Sequence, residues 1–469
     1  MFAEIESILY PVVCRINTYL SNYILVFLLS GVGIWYTLKT RFVQIRCFPE
    51  AIKNTFGSLV HFGKRHDSGM SSFQALSTAI ASQVGTGNIV GASGAILIGG
   101  PGAIFWMWVM AFLGMATIYA EAVLAVKTRK IDTDGHIKGG PVYYITTAFK
   151  GVFGKILAGF FAVALILALG CMGCMVQSNS ISYTMQSAFG IPSWVIGVIL
   201  IIICSVIFIG GIRRLAFVAE KIVPFMALFF IIGGIAILIV RIQYIPDTFM
   251  MIFKYAFHPQ AIIGGGFWYA LMQTVSQGAK RGLFSNEAGM GSTPHAHAMA
   301  KVKTPHEQGT IAMMGVFVDT FIILTINALV IISTLYTQDG ILHSGYTGAL
   351  QEVITKTNLV QTAFGTVFGS SIGAIFVAIC LMFFAFSTIL GWNFFGKINT
   401  IYLFGKSKKA KLIYALISLG FIMFGTVVSC DLVWEMADMF NNLMVIPNVI
   451  ALFALTKMVV MLLKKNKTN

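Results

Sequence analysis

Apolar stretches of about 20 residues, separated by short basic loops, recur along almost the whole chain. That spacing confines it to a lipid environment. A helix that crosses the hydrocarbon core needs about 20 mainly apolar residues. Eleven stretches reach that length, at about 19–38, 73–98, 101–126, 155–182, 191–210, 216–240, 261–299, 308–334, 364–392, 411–428 and 434–463. Of the 469 residues, 57% are hydrophobic and 10% charged, against about a quarter charged in a soluble protein. So little charge cannot clothe a water-facing surface. A soluble enzyme and a secreted disulfide scaffold are therefore excluded. The first stretch runs into Lys39 and Arg41 with no small-residue cleavage pattern after it, so it reads as a retained helix and not a signal peptide.

The net charge of +15 does not require an anionic partner, because Lys and Arg collect in cytoplasmic loops of membrane proteins. With the N-terminus outside, 26 of the 32 Lys and Arg fall inside. Four, Arg15, Arg241, Lys254 and Lys356, fall outside, while Lys280 and Arg281 sit within a stretch. This asymmetry predicts an extracytoplasmic N-terminus, a cytoplasmic C-terminus and no nucleic-acid partner. The seven cysteines, Cys171 and Cys174 included, read as small buried thiols, not as a metal or redox centre.

Two stretches are interrupted by polar and glycine residues at mid-membrane depth: Ser-Gln-Val-Gly-Thr-Gly-Asn-Ile at 82–89, and Gly-Ala-Lys-Arg-Gly-Leu-Phe-Ser-Asn-Glu-Ala-Gly-Met-Gly-Ser at 278–292. Unwound backbone survives at that depth only where protein buries it or it lines a watery cavity. The two lie five stretches apart and run in opposite directions, as an inverted repeat with one discontinuous helix opening each half would place them. The expected architecture is an all-α polytopic membrane protein of about eleven transmembrane helices in a five-plus-five inverted repeat, with one extra N-terminal helix. The corresponding divisions are an extracytoplasmic segment 1–18, a peripheral helix 19–38, a cytoplasmic loop 39–72, repeats 73–240 and 261–463, and a basic cytoplasmic tail 464–469.

Gly-Thr-Gly-Asn-Ile-Val-Gly at 85–91 is not a dinucleotide loop, since both flanks are apolar helix and no strand precedes it. Close helix packing accounts for its glycines but not for Thr86 and Asn88. Those polar groups beside freed amides form a place for a ligand carboxylate at the positive end of a half-helix.

Several blocks together resemble the sodium:alanine/glycine symporter family. They are Phe-Gln-Ala-Leu at 73–76, Val-Gly-Thr-Gly-Asn-Ile at 84–89, Gly-Gly-Pro-Gly-Ala-Ile-Phe-Trp-Met-Trp at 99–108, Gly-Met-Ala-Thr at 114–117 with Glu121, and Gly-Gly-Pro-Val-Tyr-Tyr at 139–144. Arg-Gly-Leu-Phe-Ser-Asn-Glu-Ala-Gly-Met-Gly-Ser at 281–292 is the most specific; Ala-Phe-Ser-Thr-Ile-Leu-Gly-Trp at 385–392 and Leu-Met-Val-Ile-Pro-Asn at 443–448 complete the set. The resemblance runs in order from about residue 20 onward. It implies sodium-driven symport of a small neutral amino acid on the amino acid–polyamine–cation type of fold.

Carried over residue by residue, the resemblance implies that Thr86, Gly87 and Asn88 meet the charged end of the substrate from the first broken helix. Gly282, Phe284, Ser285 and Asn286 face it from the second, with Gln177 and Thr388 as further polar positions. Trp392 caps the pocket and limits side-chain size, and Tyr183 is a candidate aromatic gate. By analogy with the neurotransmitter symporters, which share Val-Gly-x-Gly-Asn, the carbonyls of Ala81 and Val84 and the hydroxyls of Ser387 and Thr388 ligate sodium. Hard oxygen ligands suit a hard cation. Thr388 is thus open to both ion and substrate. Na+ is the expected coupling ion, with no organic cofactor and no obligate protein partner. The expected site is a plasma membrane, fitting a bacterial inner membrane.

Ionisable residues inside a membrane are functional suspects by default. Glu287 is expected to pair with Lys280 or Arg281 and so hold the broken helix, Glu121 to cap or pair near a cytoplasmic end, and Asp319 and Asp438 are candidates for ion coupling. His295 and His297, two apart, make a poor metal pair. No nucleophile–base set appears in the spans, so no enzyme activity is expected. Lys397, the Asn393-Phe394-Phe395 run and Asn442 depart from the family pattern near the inner end and bear on gating more than on the pocket. The alternatives to alanine or glycine import with sodium are glutamine or serine as substrate, and proton coupling through Glu287, Asp319 or Asp438.

Overall fold

The structure, a computed structural model, describes residues 2–58, 69–132, 137–209, 211–259, 266–346, 350–428 and 430–465. Lys64 and Arg65 of the first basic loop, residues 261–265 of the seventh stretch and the tail from 466 lie outside the described residues.

The described chain is almost entirely helical. Helix α1 (Phe2–Tyr19) continues through a π-helical turn at Leu20–Leu25 into α2 (Val26–Lys39), and α3 (Phe48–Ser58) follows. The first broken stretch comprises α4 (Ser72–Gln83) and α5 (Ala92–Gly99). Next come α6 (Ala103–Thr128), the short α7 (Pro141–Ala148), α8 (Gly151–Phe189), α9 (Ser193–Phe208) and α10 (Arg214–Val240). Helix α11 (Ile245–Phe257) leads to the second broken stretch, α12 (Phe267–Asn286) and the single turn α13 (Pro294–His297). The chain ends with α14 (Pro305–Leu335), α15 (Leu359–Phe368), α16 (Ser370–Phe404), α17 (Lys408–Val427), α18 (Asp431–Ala454) and α19 (Thr456–Lys465). Among the described residues, seven helices are long and apolar enough to cross a bilayer: α6, α8, α10, α14, α16, α17 and α18.

Local chemistry sets these boundaries. Ser71 caps α4 with a reciprocal capping box, its hydroxyl accepting from the Gln74 N–H while the Gln74 side chain accepts from the Ser71 N–H, which satisfies two orphan amides. Thr304 caps α14 ahead of Pro305, where a missing N–H costs nothing. Gly190 ends α8 in the left-handed conformation, and Gly369, at φ 85°, separates α15 from α16. That break divides the expected stretch 364–392, while the helix after it runs on to Phe404 and so includes Lys397, whose ammonium donates to the Phe208 carbonyl at 3.2 Å. The expected stretch 434–463 is likewise two helices, because α18 stops at Ala454 and the amphipathic α19 begins at Thr456.

Burial separates the centre from the lipid face. The apolar window of α6 is 83% buried and that of α17 only 28%, so α6 is central and α17 peripheral. Ile199, Ile202, Ile203 and Val206 on α9, and Leu412, Ile413, Leu416 and Ile417 on α17, form exposed apolar stripes at helical spacing, the pattern of a face toward lipid. Residues Phe2–Tyr19 are helical. Helix α1 packs along α18, with the Asn17 amide donating to the Glu435 carbonyl and carboxylate at 2.7 Å each. Tyr36 of α2 donates to the Leu452 carbonyl at 2.6 Å. At the far end of α10, Arg241 clamps Asp339 at 2.6 and 2.7 Å, and this guanidinium holds the Asp339 carboxyl well below the usual range.

The turn Pro101–Gly102 brings α6 against α11 at backbone distance. A Cβ on Gly102 would lie 2.2 Å from the Tyr255 carbonyl carbon, an atom that cannot rotate aside. Gly102→Ala is therefore expected to destabilise the protein by about 1–3 kcal/mol or more through overpacking. Thermal unfolding of the detergent-solubilised variant against the parent checks this; an unchanged midpoint would mean that α11 does not dock there.

Candidate functional site

Both interruptions expected from the sequence are present, and each has a local cause. Helix α4 stops at Gln83, Val84 leaves helical geometry at ψ 89°, and the chain re-enters through a π-helical turn at Gly87–Gly91. The Asn88 side-chain oxygen accepts from the Gly85 N–H at 3.1 Å, which closes the loop on itself. Glycine is needed because other helices come close: a Cβ on Gly85 would lie 2.4 Å from the Thr388 hydroxyl, and one on Gly87 3.0 Å from Ser285 Cα. In the second stretch Glu287 takes a left-handed conformation at φ 56°, followed by Gly289 at 86° and Gly291 at 81°. A left-handed non-glycine residue costs roughly 1–2 kcal/mol, so surrounding contacts must hold it.

Glu121 of α6 supplies much of that hold. Its two carboxylate oxygens accept from the Gly289 and Gly291 N–H groups at 3.0 Å each. Asn448 of α18 donates to Glu121 at 2.7 Å and to the Gly289 carbonyl at 2.9 Å, and Tyr144 of α7 donates to Asn448. Glu121 is fully buried, and it caps the amides of the second break.

The four expected ion ligands converge. Thr388 lies with its hydroxyl 2.9 Å from the Ala81 carbonyl and 3.4 Å from that of Val84, and the Ser387 hydroxyl is 3.4 Å from Ala81. Two carbonyls from the broken α4 thus face two hydroxyls from α16, all buried. This is a neutral cluster of hard oxygens, the donor set that suits a small monovalent cation.

Beside it, the residues expected at the substrate come together from four helices. The Thr86 N–H donates to Gln177 at 3.2 Å. Asn88 donates to the Asp319 carboxylate at 2.7 Å, and Ser285 donates to it at 3.0 and 3.2 Å. Asp319, in a π-helical stretch of α14 (Phe317–Leu324), therefore ties both breaks together. The Thr86 hydroxyl and the Asn286 amide nitrogen are buried without a hydrogen-bond partner among the described residues, and such groups call for a ligand or water. Phe284 meets Trp392 edge-on at 6.1 Å. Two expected residues stand apart: the open face of Gly282 packs on Met107, and Tyr183 is 39% exposed in a surface groove with Gln186 and Trp194.

The expected pairing of Glu287 with Lys280 or Arg281 is not formed. Lys280 and Arg281 instead meet Asp438 at 2.7 and 3.2 Å. Six residues on an α-helix turn through about 600°, which leaves Arg281 and Glu287 on different faces, and the left-handed step at Glu287 turns its carboxylate inward. There it accepts from Trp392 Nε1 and the Ser292 hydroxyl at 2.5 Å each and from Ser82 at 3.2 Å. Among the described residues Glu121, Glu287 and Asp319 are thus held by neutral donors and not by side-chain cations.

Sequence reasoning missed Gln83, which donates to the Asn286 carbonyl at 2.7 Å, and Asn327, which donates to the Asn88 carbonyl at 2.8 Å. Asn327 lies eight residues beyond Asp319, hence on the same face of α14, a spacing that could have been read. Toward one side of the membrane, Phe284 packs against Trp434 with the rings tilted and 5.2 Å apart, below a cavity of about 210 Å³ that Arg281, Lys280 and Lys356 line. Toward the other, His295 lies between Phe161 and Phe395 and bonds Asn399 at 2.9 Å. Thr86, Asn88, Ser285, Asn286, Asp319 and Thr388 have no exposed surface; the site is closed toward both faces.

The profile of the sodium:alanine symporter family matches residues 6–469. A protein of Methanococcus maripaludis named sodium/alanine symporter AgcS is 40% identical over 95% of this chain and 94% of its own. A Bacillus subtilis protein named putative sodium/proton-dependent alanine carrier protein YrbD is 38% identical over 96% of this chain and 91% of its own. Among solved structures, that of MhsT in complex with L-phenylalanine aligns with a TM-score of 0.56 at 13% identity, covering 85% of this chain and 99% of that one; it shares the fold.

The buried trio Lys280, Arg281 and Asp438 yields a stability test. Removing the Asp438 carboxylate takes the anion from Arg281 and leaves Lys280 to Glu435 at 4.0 Å; breaking a buried pair in this way costs about 3–5 kcal/mol. Asp438→Asn is expected to lower the thermal unfolding midpoint in detergent by the corresponding amount. A midpoint at the parent value would show that the two cations find water instead.

Proposed function

Because this chain belongs to the sodium:alanine symporter family, a family of integral membrane transporters and not of enzymes, we propose that it imports a small neutral amino acid, alanine or glycine foremost, together with Na+. The observation that carries this reading is the convergence of two broken helices, α16 and Asp319 on one fully buried place. The substrate carboxylate takes the freed amides at Thr86–Gly87, at the positive end of a half-helix. Its ammonium group lies toward the carboxylate-rich side, where Asp319 joins Asn88 to Ser285. Phe284 and Trp392 bound the side chain. Na+ takes the carbonyls of Ala81 and Val84 and the hydroxyls of Ser387 and Thr388. The unpartnered Thr86 hydroxyl and Asn286 amide support this placement.

Transport proceeds by alternating access between two five-helix repeats, residues 73–240 and 261–463, with the peripheral N-terminal helix outside them. The N-terminus is extracytoplasmic and the C-terminus cytoplasmic, a reading supported by the distribution of Lys and Arg. The described arrangement is the occluded state: Phe284 and Trp434 close the outer route, and the layer around His295 closes the inner one. One Na+ entering down a tenfold gradient yields about 1.4 kcal/mol, and 100 mV of potential about 2.3 kcal/mol more. Together these sustain accumulation of several hundredfold, roughly, at 1.4 kcal/mol per factor of ten. If Na+ tightens the amino acid site, the amino acid tightens the Na+ site by the same factor.

Proton coupling is the second reading, favoured by one observation: Asp319 and Glu287 are buried carboxylates with neutral partners. The two readings separate in proteoliposomes. Labelled alanine is expected to accumulate under an inward Na+ gradient and not under an equal K+ gradient. Asn88→Ala should reduce that uptake at least about tenfold, the effect of losing about 1.4 kcal/mol of binding, and Thr388→Val should raise the Na+ concentration for half-maximal uptake by a similar factor. Uptake driven equally by a proton gradient without Na+ would replace Na+ coupling with proton coupling.

Glu287 sets the position of Trp392 and so the size limit. A Cβ on Gly173 would meet the Trp392 ring at 2.5 Å, so the indole is held between that backbone and the Glu287 carboxylate. Trp392→Leu and Glu287→Leu are expected to raise the rate of glutamine uptake relative to alanine, while Glu287→Gln, which retains an acceptor, keeps the parent ratio. Competition assays with unlabelled glutamine measure this; an unchanged ratio in Trp392→Leu would remove the indole from the size filter.

A further inference from the structure

A second cluster of chemistry-bearing side chains lies away from the transport path, on the face toward which most Lys and Arg fall. Cys47 immediately precedes α3 and Glu50 lies in its first turn, three residues on. His306 opens α14 behind the Thr304 cap. One ligand atom from each of the three lies within 4.8 Å of the others. The Glu50 carboxylate is 3.1 Å from His306 Nε2, and the other ring nitrogen, Nδ1, is 2.6 Å from the Tyr119 hydroxyl of α6. Asn54 donates to the Thr310 hydroxyl at 2.9 Å, so α3 and the start of α14 are joined by a second contact one helical turn along.

The combination of thiolate, imidazole and carboxylate is the donor set of a thiophilic cation, unlike the all-oxygen clusters that take Na+, Mg2+ or Ca2+. The spacing fits as well. With metal–ligand bonds of about 2.0–2.3 Å, a tetrahedral Zn2+ sets its ligand atoms roughly 3.3–3.7 Å apart. Glu50 and His306, at 3.1 Å, need to part by only about 0.2 Å to reach it, and the sulfur closes the triangle with a shift of about 1 Å on the same scale. Tyr119 supplies what ligating imidazoles characteristically have, a partner on the second nitrogen that fixes the ring. Cys47 and His306 are buried and Glu50 is half-buried, which leaves one open side for entry and for a fourth, water ligand. Arg46 is a nearby cation, and its guanidinium donates to the Thr40 carbonyl at 2.9 Å.

We propose that Cys47, Glu50 and His306 form a binding site for a thiophilic divalent cation of the zinc class, which fastens α3 to the first turn of α14. The test uses the full, untagged chain in detergent, washed with chelator and titrated with Zn2+ against a chromophoric chelator. One equivalent is expected in the parent and none in Cys47→Ser or His306→Gln. Tyr119→Phe should weaken binding by about tenfold, and Asn54→Ala should leave it unchanged. Zn2+ should also raise the unfolding midpoint of the parent and of Asn54→Ala alone. Parent protein that takes up no Zn2+ at micromolar concentration would overturn the proposal. So would binding that persists in Cys47→Ser, which would mark the cluster as a polar contact between two helices. Neither readout involves amino acid uptake, so the result stands apart from the transport reading.

Discussion

Satisfying the backbone of the second broken helix is the constraint on which the rest of the structure depends. Each amide left open in a low-dielectric interior costs several kcal/mol, roughly, and the stretch from Glu287 to Ser292 opens several at once. Glu121 answers two of them, Asn448 ties Glu121 to the Gly289 carbonyl, and the Asn286 side chain takes the Ala288 N–H at 3.1 Å. Three helices, α6, α12 and α18, are thereby fixed to one another through a single carboxylate. That is why α6 is central. Around that point α7 and α14 then take their places, α7 through Tyr144 and α14 through Asp319.

The unwound segments also explain the distribution of charge. Lys280 and Arg281 pair with Asp438, and Lys280 also with Glu435, on one side of the break, while Glu121, Glu287 and Asp319 accept from amides, hydroxyls and an indole on the other. A carboxylate in a closed interior is stabilised in its charged form by positive charge, and both cargoes named by the family, a sodium ion and the ammonium end of an amino acid, carry it. Three π-helical stretches, Gly87–Gly91, Ile166–Gly173 and Phe317–Leu324, border this region. They place Asn88, Gly173 and Asp319 where regular α-helices would not, consistent with the tendency of such turns to mark functional sites.

Much of this was legible in the residues. Both interruptions were readable because glycine and polar residues at mid-membrane depth demand an explanation that lipid cannot give. The lipid-facing stripes of α9 and α17 follow from their apolar periodicity. Ala81 and Thr388, more than 300 positions apart, could be placed together only through family resemblance, since no local pattern links them. Glu287 was misread for a definite reason. Its proximity in sequence to Lys280 and Arg281 suggested an ion pair, whereas helical phase and one left-handed residue direct it to Trp392. The end of the last span at Ala454 was equally hidden, because the apolar run continues across the turn at Leu455.

By itself the sequence determined that this protein lives in a membrane and where its helices break. Hydrophobicity, glycine content and charge act locally or as simple sums, and each can be counted along the chain. Only the tertiary structure decided which buried charge meets which. Asp438 rather than Glu287 takes the two cations, Glu121 caps a helix end about 170 residues away, and Glu287 holds an indole. Those pairings depend on helix phase and on the mutual placement of segments far apart in the chain, and neither is written in any local run of residues.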